Sequence, residues 1–218
     1  MSSVTLYLYR HGNTFEAGDK VVQVGLKSDL PLTTVGKQQA ESFGAYLQKS
    51  SISPNSIFSG QLQRQTESAH ILQSYFPQTI LKTHVQALDE IDYGLWEGLT
   101  ANEITENWEH QAQCWHTQAI WPNDIFKQSR EYHLQHITEF LTALYNKQGE
   151  KNAPVIVVSS NGIIRLFLYF SNLWENICAT SAMNNYKVGT GNFCKVQLHE
   201  NNIITIDEWN VNPAKRLS

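Results

Sequence analysis

The sequence predicts an α/β fold, a mostly parallel sheet covered by helices on both faces, and three observations carry that prediction. Short runs of β-formers, Leu6–Tyr9, Ile57-Phe58 and Val155–Val158, each stop abruptly at a polar turn. Helical spacing follows each turn. Strand and helix signals then alternate along the 218 residues instead of segregating, which is the pattern of a sheet with helices on both faces.

Taken in order, Leu6–Tyr9 feeds the turn Arg10-His11-Gly12-Asn13-Thr14. A polar loop runs to Leu32, and Thr33 or Thr34 can cap a helix whose apolar face is Ala40, Phe43 and Leu47. Ile57-Phe58 leads through Ser59-Gly60 into a helix with Leu62, Ala69, Leu72 and Phe76 on one face. A third strand is expected near Val85–Leu88, followed by the acidic, glycine-bearing segment Asp89–Gly98. Helical spacing returns at His133, Ile137, Phe140, Leu141 and Leu144, and Val155–Val158 ends at Ser159-Ser160-Asn161-Gly162, where another helix begins. Phe193, Val196 and Leu198, then Ile203–Ile206, suggest a hairpin across Glu200–Asn202, with Cys194 interrupting the alternation.

Composition bounds the function. Hydrophobic residues make up 41% and charged residues 17%, which suits a soluble globular chain rather than a disordered one. A net charge of −4 gives no general affinity for nucleic acid, so any phosphorylated ligand needs a local cluster of positive groups. Cys114, Cys178 and Cys194 show no close pairing and read as small buried side chains. No apolar stretch approaches a membrane span and Met1–Tyr9 carries no basic segment, so a cytoplasmic protein of one domain, residues 1–218, is expected.

In a sheet of this kind ligands bind beyond the carboxyl ends of the strands. That rule brings His11, Arg64, Glu90 and Ser160 to one edge. A phosphoryl-transfer site needs fixed positive groups around three equatorial oxygens and a nucleophile in line with the leaving oxygen. Arg10 and Arg64 can grip phosphate bidentately, and the helix after Gly60 is expected to add backbone N–H groups. An unprotonated His11 nitrogen can attack phosphorus, and Glu90 or Glu97 can protonate the leaving alkoxide. A carboxyl beside two arginines is held ionised, so the acid must sit towards the leaving group. No cysteine has an arginine six positions later, and there is neither a Walker loop nor a G-x-S-x-G elbow. His110, His116, His133 and His136 lack a framing set of metal ligands and read as surface or packed residues.

Leu8 through Thr14 resembles the L-x-R-H-G-x-T signature of the histidine phosphatase, or phosphoglycerate mutase-like, superfamily. Asp29-Leu30-Pro31-Leu32-Thr33 with Gly36, Gln39 and Ala40 is similar to its D-x-P-L-T-x-x-G-x-x-Q-A segment. Ser59 through Arg64 with Thr66 and Ala69 resembles S-x-x-x-x-R-x-x-x-T-A. Leu88 through Gly98 resembles L-x-E-x-x-x-G-x-W-E-G, and Val157 through Arg165 aligns with V-V-S-H-G-G-V-I-R. The resemblance implies a three-layer α/β/α sandwich, His11 as phosphorylated nucleophile and Glu90 as proton donor. It further implies Arg10 and Arg64 as phosphate clamps, Asn13 lining the pocket, and no metal or cofactor.

The chain departs from the pattern at the second histidine, which is Ser160 here, followed by Asn161. Losing one charged hydrogen bond costs roughly 1.5–3 kcal/mol, about ten- to hundredfold in rate. Ser160 and Asn161 are expected to donate to the phosphate in its place. The segment 97–150 carries Trp108, Trp115 and Trp121 after Trp96; these form either a lid over the pocket or the core of that insertion. The segment that reads G-G-E-S in phosphatases of this type is Asn123-Asp124-Ile125-Phe126 here, so its substrate contacts do not carry over. The expected activity is a phosphomonoesterase acting on a small phosphorylated substrate. Mutase-type transfer and a weakly active pseudophosphatase that binds phosphorylated ligands are the alternatives.

Overall fold

The computed structural model describes residues 3–148, 153–180 and 186–217. Six strands form one sheet, β1 Val4–Arg10, β2 Ser56–Ser59, β3 Ile80–Lys82, β4 Val155–Ser159, β5 Phe193–Leu198 and β6 Ile204–Val211. Their order is β3-β2-β4-β1-β5-β6. The β3–β2, β2–β4 and β4–β1 pairs are parallel, whereas β1–β5 and β5–β6 are antiparallel. Helices are α1 Thr34–Lys49, α2 Gln63–Tyr75, α3 Ala101–Gln118, α4 Arg130–Gln148, α5 Asn161–Leu166, α6 Trp174–Ala179 and α7 Ala214–Leu217.

The two faces follow from the pleat of β1. Tyr7 and Tyr9 point to one side, where they pack with Ala40, Phe43 and Leu47 of α1 and Ala69 and Leu72 of α2. Leu6 and Leu8 point to the other, with Ile104 and Trp115 of α3, Ile137 and Leu141 of α4, and Ile163 of α5. Cys194 belongs with Val196 and Leu198 on this second face, while Phe193 joins the tyrosine side. The cysteine that interrupted the alternation therefore keeps it. A shift in the β5–β6 register lies beside it, where the Asn210 N–H reaches the Cys194 sulfur. Cys114 is half-buried instead of packed away, and the Cys178 side chain lies outside the described residues.

The third strand is not where the sequence placed it. Val85–Leu88 lies at a 3₁₀ turn, Gln86–Leu88, and the strand is Ile80–Lys82. As an edge strand β3 leaves Ile80 55% exposed, so it carries no apolar run. The Val85 N–H bonds the Ser59 carbonyl at 2.9 Å, and the chain folds over the end of β2. Helix α3 also went unforeseen, although Thr100 and Glu103 form a capping box at its start. Leu62 and Phe76 flank α2 as its caps, and Leu62 is the buried one of the two.

Trp96, Trp115 and Trp121 are buried and gather around Phe126, their rings 5.1–5.2 Å from its own. The departure at Ile125-Phe126 thus has a physical account: these two residues are core. No helix among the described residues is long and apolar enough to cross a membrane.

His133 packs against Trp121 with its Nε2 buried and unpartnered. Burial, and to a lesser degree the nearby His136, pushes its pKa down to about 4. The unfolded chain therefore binds more protons between that value and the ordinary 6.5, so stability is full above pH 6.5 and falls as the pH drops towards 4. The contribution at stake is roughly 3 kcal/mol. Urea unfolding of His133→Phe across this window should show a shallower pH slope than wild type. Identical slopes would mean that His133 titrates normally.

Candidate active site

Strands β1, β2 and β4 run parallel, so their carboxyl ends open on one edge. The β1 loop then leads to α1 on the tyrosine face, and the β4 loop leads to α5 on the other. Neighbouring strands whose loops part to opposite faces leave a crevice between them. Here the crevice is a cavity of about 640 Å³ lined by Arg10, His11, Asn13, Arg64, Glu90 and Asn161, among others. Residues far apart in sequence meet there because the sheet order places β4 between β2 and β1.

The β1 loop is locked in place. The His11 N–H bonds the Ser159 carbonyl at 3.0 Å, and the Gly191 N–H bonds the carbonyls of Arg10 and His11. Asn13 receives the Thr33 N–H on its carbonyl and gives its own N–H to the Gln39 side chain at 2.8 Å. Gly12 and Gly36 permit this approach, since a Cβ on Gly12 would strike the Gly36 carbonyl and one on Gly36 would strike the Asn13 carbonyl.

His11 is 5% exposed. Its Nδ1 lies 2.8 Å from the Gly12 carbonyl, an acceptor only, so Nδ1 carries the proton and Nε2 keeps its lone pair. Burial, then the charges of Arg64 and Arg10, hold the imidazole pKa well below its usual value. The result is a neutral, nucleophilic nitrogen.

Both guanidiniums are anchored by carbonyls. Arg64 donates to the carbonyls of Ser28 and Gly25, and Arg10 donates to the Val188 carbonyl at 2.6 Å, leaving its buried Nε without a partner. Neither forms a salt bridge among the described residues. Burial lowers both pKa values from the usual arginine value, yet guanidinium stays charged in proteins.

The backbone N–H groups of α2 do not contribute as expected. The Gln61 N–H goes to Asp89 at 2.8 Å, the Gln63 N–H to Asp29 at 2.6 Å, and the Leu62 N–H to the Gln65 side chain. Two carboxylates and one amide thus take up the N–H groups of Gln61, Leu62 and Gln63 at the start of the helix, and these three are not offered to an anion.

Of the two candidate acids, Glu90 lines the cavity and Glu97 does not. Glu97 instead accepts from the Gly25 N–H and the Ser28 hydroxyl, and so shapes the turn that holds Arg64. Glu90 is 5% exposed. Burial raises its pKa, with the Ile91 N–H, Arg64, Arg10 and the Ser160 hydroxyl pulling the other way. It nests against Gly162, where a Cβ would come within 2.6 Å of its Oε1.

Ser160 is fully buried and stands behind the acid, outside the cavity lining. Its hydroxyl accepts from the Gln65 amide at 3.0 Å and favours the ionised form of Glu90. Asn161 does line the cavity, with its Oδ1 accepting the Val188 N–H at 2.8 Å. Asn13 also lines it, and its amide donates to the Phe15 carbonyl. Sequence reasoning missed Tyr93, His116, Arg165 and Lys187 in the lining, and Gln65 behind Ser160, whereas Trp115, expected in a lid or in the core, is buried and also lines the cavity. Arg165 lay inside a motif and could have been found; Lys187 had no signal.

A model of the histidine phosphatase superfamily (branch 1) matches residues 6–212. The 2,3-bisphosphoglycerate-dependent phosphoglycerate mutase of Bartonella quintana (strain Toulouse) is 34% identical over 113 residues, 51% of this chain and 54% of that one. The 6-phosphofructo-2-kinase/fructose-2,6-bisphosphatase of Caenorhabditis elegans is 26% identical over 167 residues, 76% of this chain and 34% of that one. The match thus spans about half of the first relative and a third of the second. Among solved structures, mycobacterial glucosyl-3-phosphoglycerate phosphatase superposes with a TM-score of 0.79 at 22% identity, covering 96% of this chain and 99% of that one. Bacillus stearothermophilus YhfR gives 0.77 at 19%, covering 97% and 99%. At these identities the structures share the fold. The match along nearly the whole sequence identifies this chain as a member of branch 1 of the histidine phosphatase superfamily.

Proposed function

We propose that the protein is a metal-independent phosphomonoesterase working through a phosphohistidine on His11. The observation that carries this reading is a neutral imidazole with a free Nε2 beside two guanidiniums, Arg64 buried and Arg10 half-buried, that no salt bridge among the described residues neutralises. Arg10 and Arg64 receive the phosphoryl oxygens, with Asn13 and Asn161 completing the lining. His11 Nε2 attacks phosphorus, the bond to the leaving oxygen breaks, and protonated Glu90 gives that oxygen its proton. Glu90, now ionised, takes a proton from water, whose oxygen displaces His11 and releases inorganic phosphate. The guanidiniums supply the charge stabilisation that a metal ion gives elsewhere. The segment 97–150 contributes Trp115 and His116 to the wall and serves as a cover.

Ser160 works through Glu90. A histidine at this position would face the phosphate with a charge; the serine hydroxyl accepts from Gln65 and favours the ionised acid. Mutase-type transfer is the second reading, favoured by the 113-residue similarity to a phosphoglycerate mutase. A mutase returns the phosphoryl group to an organic acceptor, so release of phosphate to water separates the two.

Hydrolysis of an aryl phosphate should survive chelator and vanish in His11→Ala, and an acid-labile phosphoryl label should appear on wild type alone. A His11→Ala enzyme that keeps wild-type activity sinks the reading. Activity requires His11 unprotonated and Glu90 protonated, and the two pKa values move down and up respectively. The pH profile should therefore be highest on the acidic to neutral side, the alkaline limb belonging to Glu90. Glu90→Gln should lose that limb and slow alkyl phosphates far more than activated aryl phosphates. Ser160→Ala removes a hydroxyl that favours ionised Glu90, so the alkaline limb should move up while affinity for inorganic phosphate stays within a few-fold. A tenfold or larger loss of phosphate affinity would return Ser160 to the phosphate itself.

A further inference from the structure

The cavity holds more positive charge than one phosphoryl group requires. Beyond Arg10 and Arg64, its wall includes Arg165 of α5, His116 near the end of α3, and Lys187. Arg165 is 5% exposed. Its Nη2 donates to the Trp115 carbonyl at 3.3 Å and the His116 carbonyl at 3.5 Å, and its guanidinium lies over the Trp115 ring at 5.1 Å. Its Nε is buried without a partner, and among the described residues it forms no salt bridge.

A buried guanidinium is costly unless an anion meets it, and a chain of net charge −4 has carboxylates to spare. None is spent here. The carboxylates of the lining are Glu90, which serves the acid role, and the exposed Glu16 of the β1 loop. His116 reports the same imbalance, since burial and the charges of Arg165 and Lys187 lower its pKa. Phe15, Val22 and Val35 add apolar wall suited to a carbon skeleton.

We propose that Arg165, Lys187 and His116 form a second anion subsite. The substrate is then a phosphomonoester whose leaving group carries a further acidic group, a carboxylate or a second phosphate. This rests on the phosphomonoesterase reading and names its substrate class.

The test compares kcat/KM for matched alkyl monophosphates ending in a methyl group, a carboxylate or a second phosphate. Wild type should favour one or both doubly anionic esters by about tenfold or more, mostly through KM, which is the scale of one charge-assisted hydrogen bond. The better of the two names the acid. Arg165→Gln should erase that preference and Lys187→Gln should reduce it several-fold; the exposed lysine keeps the test alive if Arg165→Gln does not fold. Equal rates for all three esters would overturn the subsite and leave the phosphatase standing. If no ester is hydrolysed, the phosphatase reading fails first. Calorimetry of wild type and Lys187→Gln with alkylphosphonates and their carboxylate-terminated analogues then decides the subsite: tighter binding of the carboxylate form, weakened by Lys187→Gln, upholds it, and equal binding ends it.

Discussion

Two arginines held by neutral backbone, Arg64 buried and Arg10 half-buried, are the constraint on which the site depends. Carbonyls of Gly25, Ser28 and Val188 accept their hydrogen bonds. A carboxylate in those places would orient the guanidiniums equally well and cancel their charge. Carbonyls fix direction and leave the positive potential for an incoming anion, the kind of preorganisation on which transition-state stabilisation relies.

That potential sets the state of everything near it. It helps burial to keep His11 neutral. It also works against the protonated form of Glu90, and burial opposes it there as the largest influence. Burial thus drives nucleophile and acid to opposite protonation states, both of them neutral, while the pair of charges reinforces it at His11 and opposes it at Glu90. Gly162 matters because it lets the acid tuck into that dry position, and Ser160 with Gln65 supports the acid from behind.

The carboxylates near the site are kept at a distance and given other work. Asp29 and Asp89 cap α2, and Glu97 braces the Gly25–Ser28 turn. The helix that presents Arg64 is thereby oriented without any acid pairing with the arginine itself. The same economy of negative charge extends to the Arg165 wall, where Trp115 stacks on the guanidinium and carbonyls accept from it.

The sequence by itself determined the local features that repeat along the chain. Apolar runs marked β1, β2 and β4, whose residues are buried on both faces, and helical spacing marked α1 and α4 with their core residues. Motif order gathered Arg10, His11, Arg64 and Glu90 before any coordinate was known. The edge strand β3 stayed hidden because solvent removes the need for an apolar run, whereas α3 was legible in principle, since a capping box opens it and Ile104, Trp108, Ala112 and Trp115 recur at helical spacing. Only the tertiary structure decided where hydrogen bonds go. It assigned the Gln61 and Gln63 N–H groups to carboxylates, Ser160 to Gln65, and Glu97 to the turn under Arg64. Each of these bonds joins residues distant in sequence, and whether a donor faces a ligand or a neighbouring side chain is fixed by packing, which no one-dimensional pattern encodes.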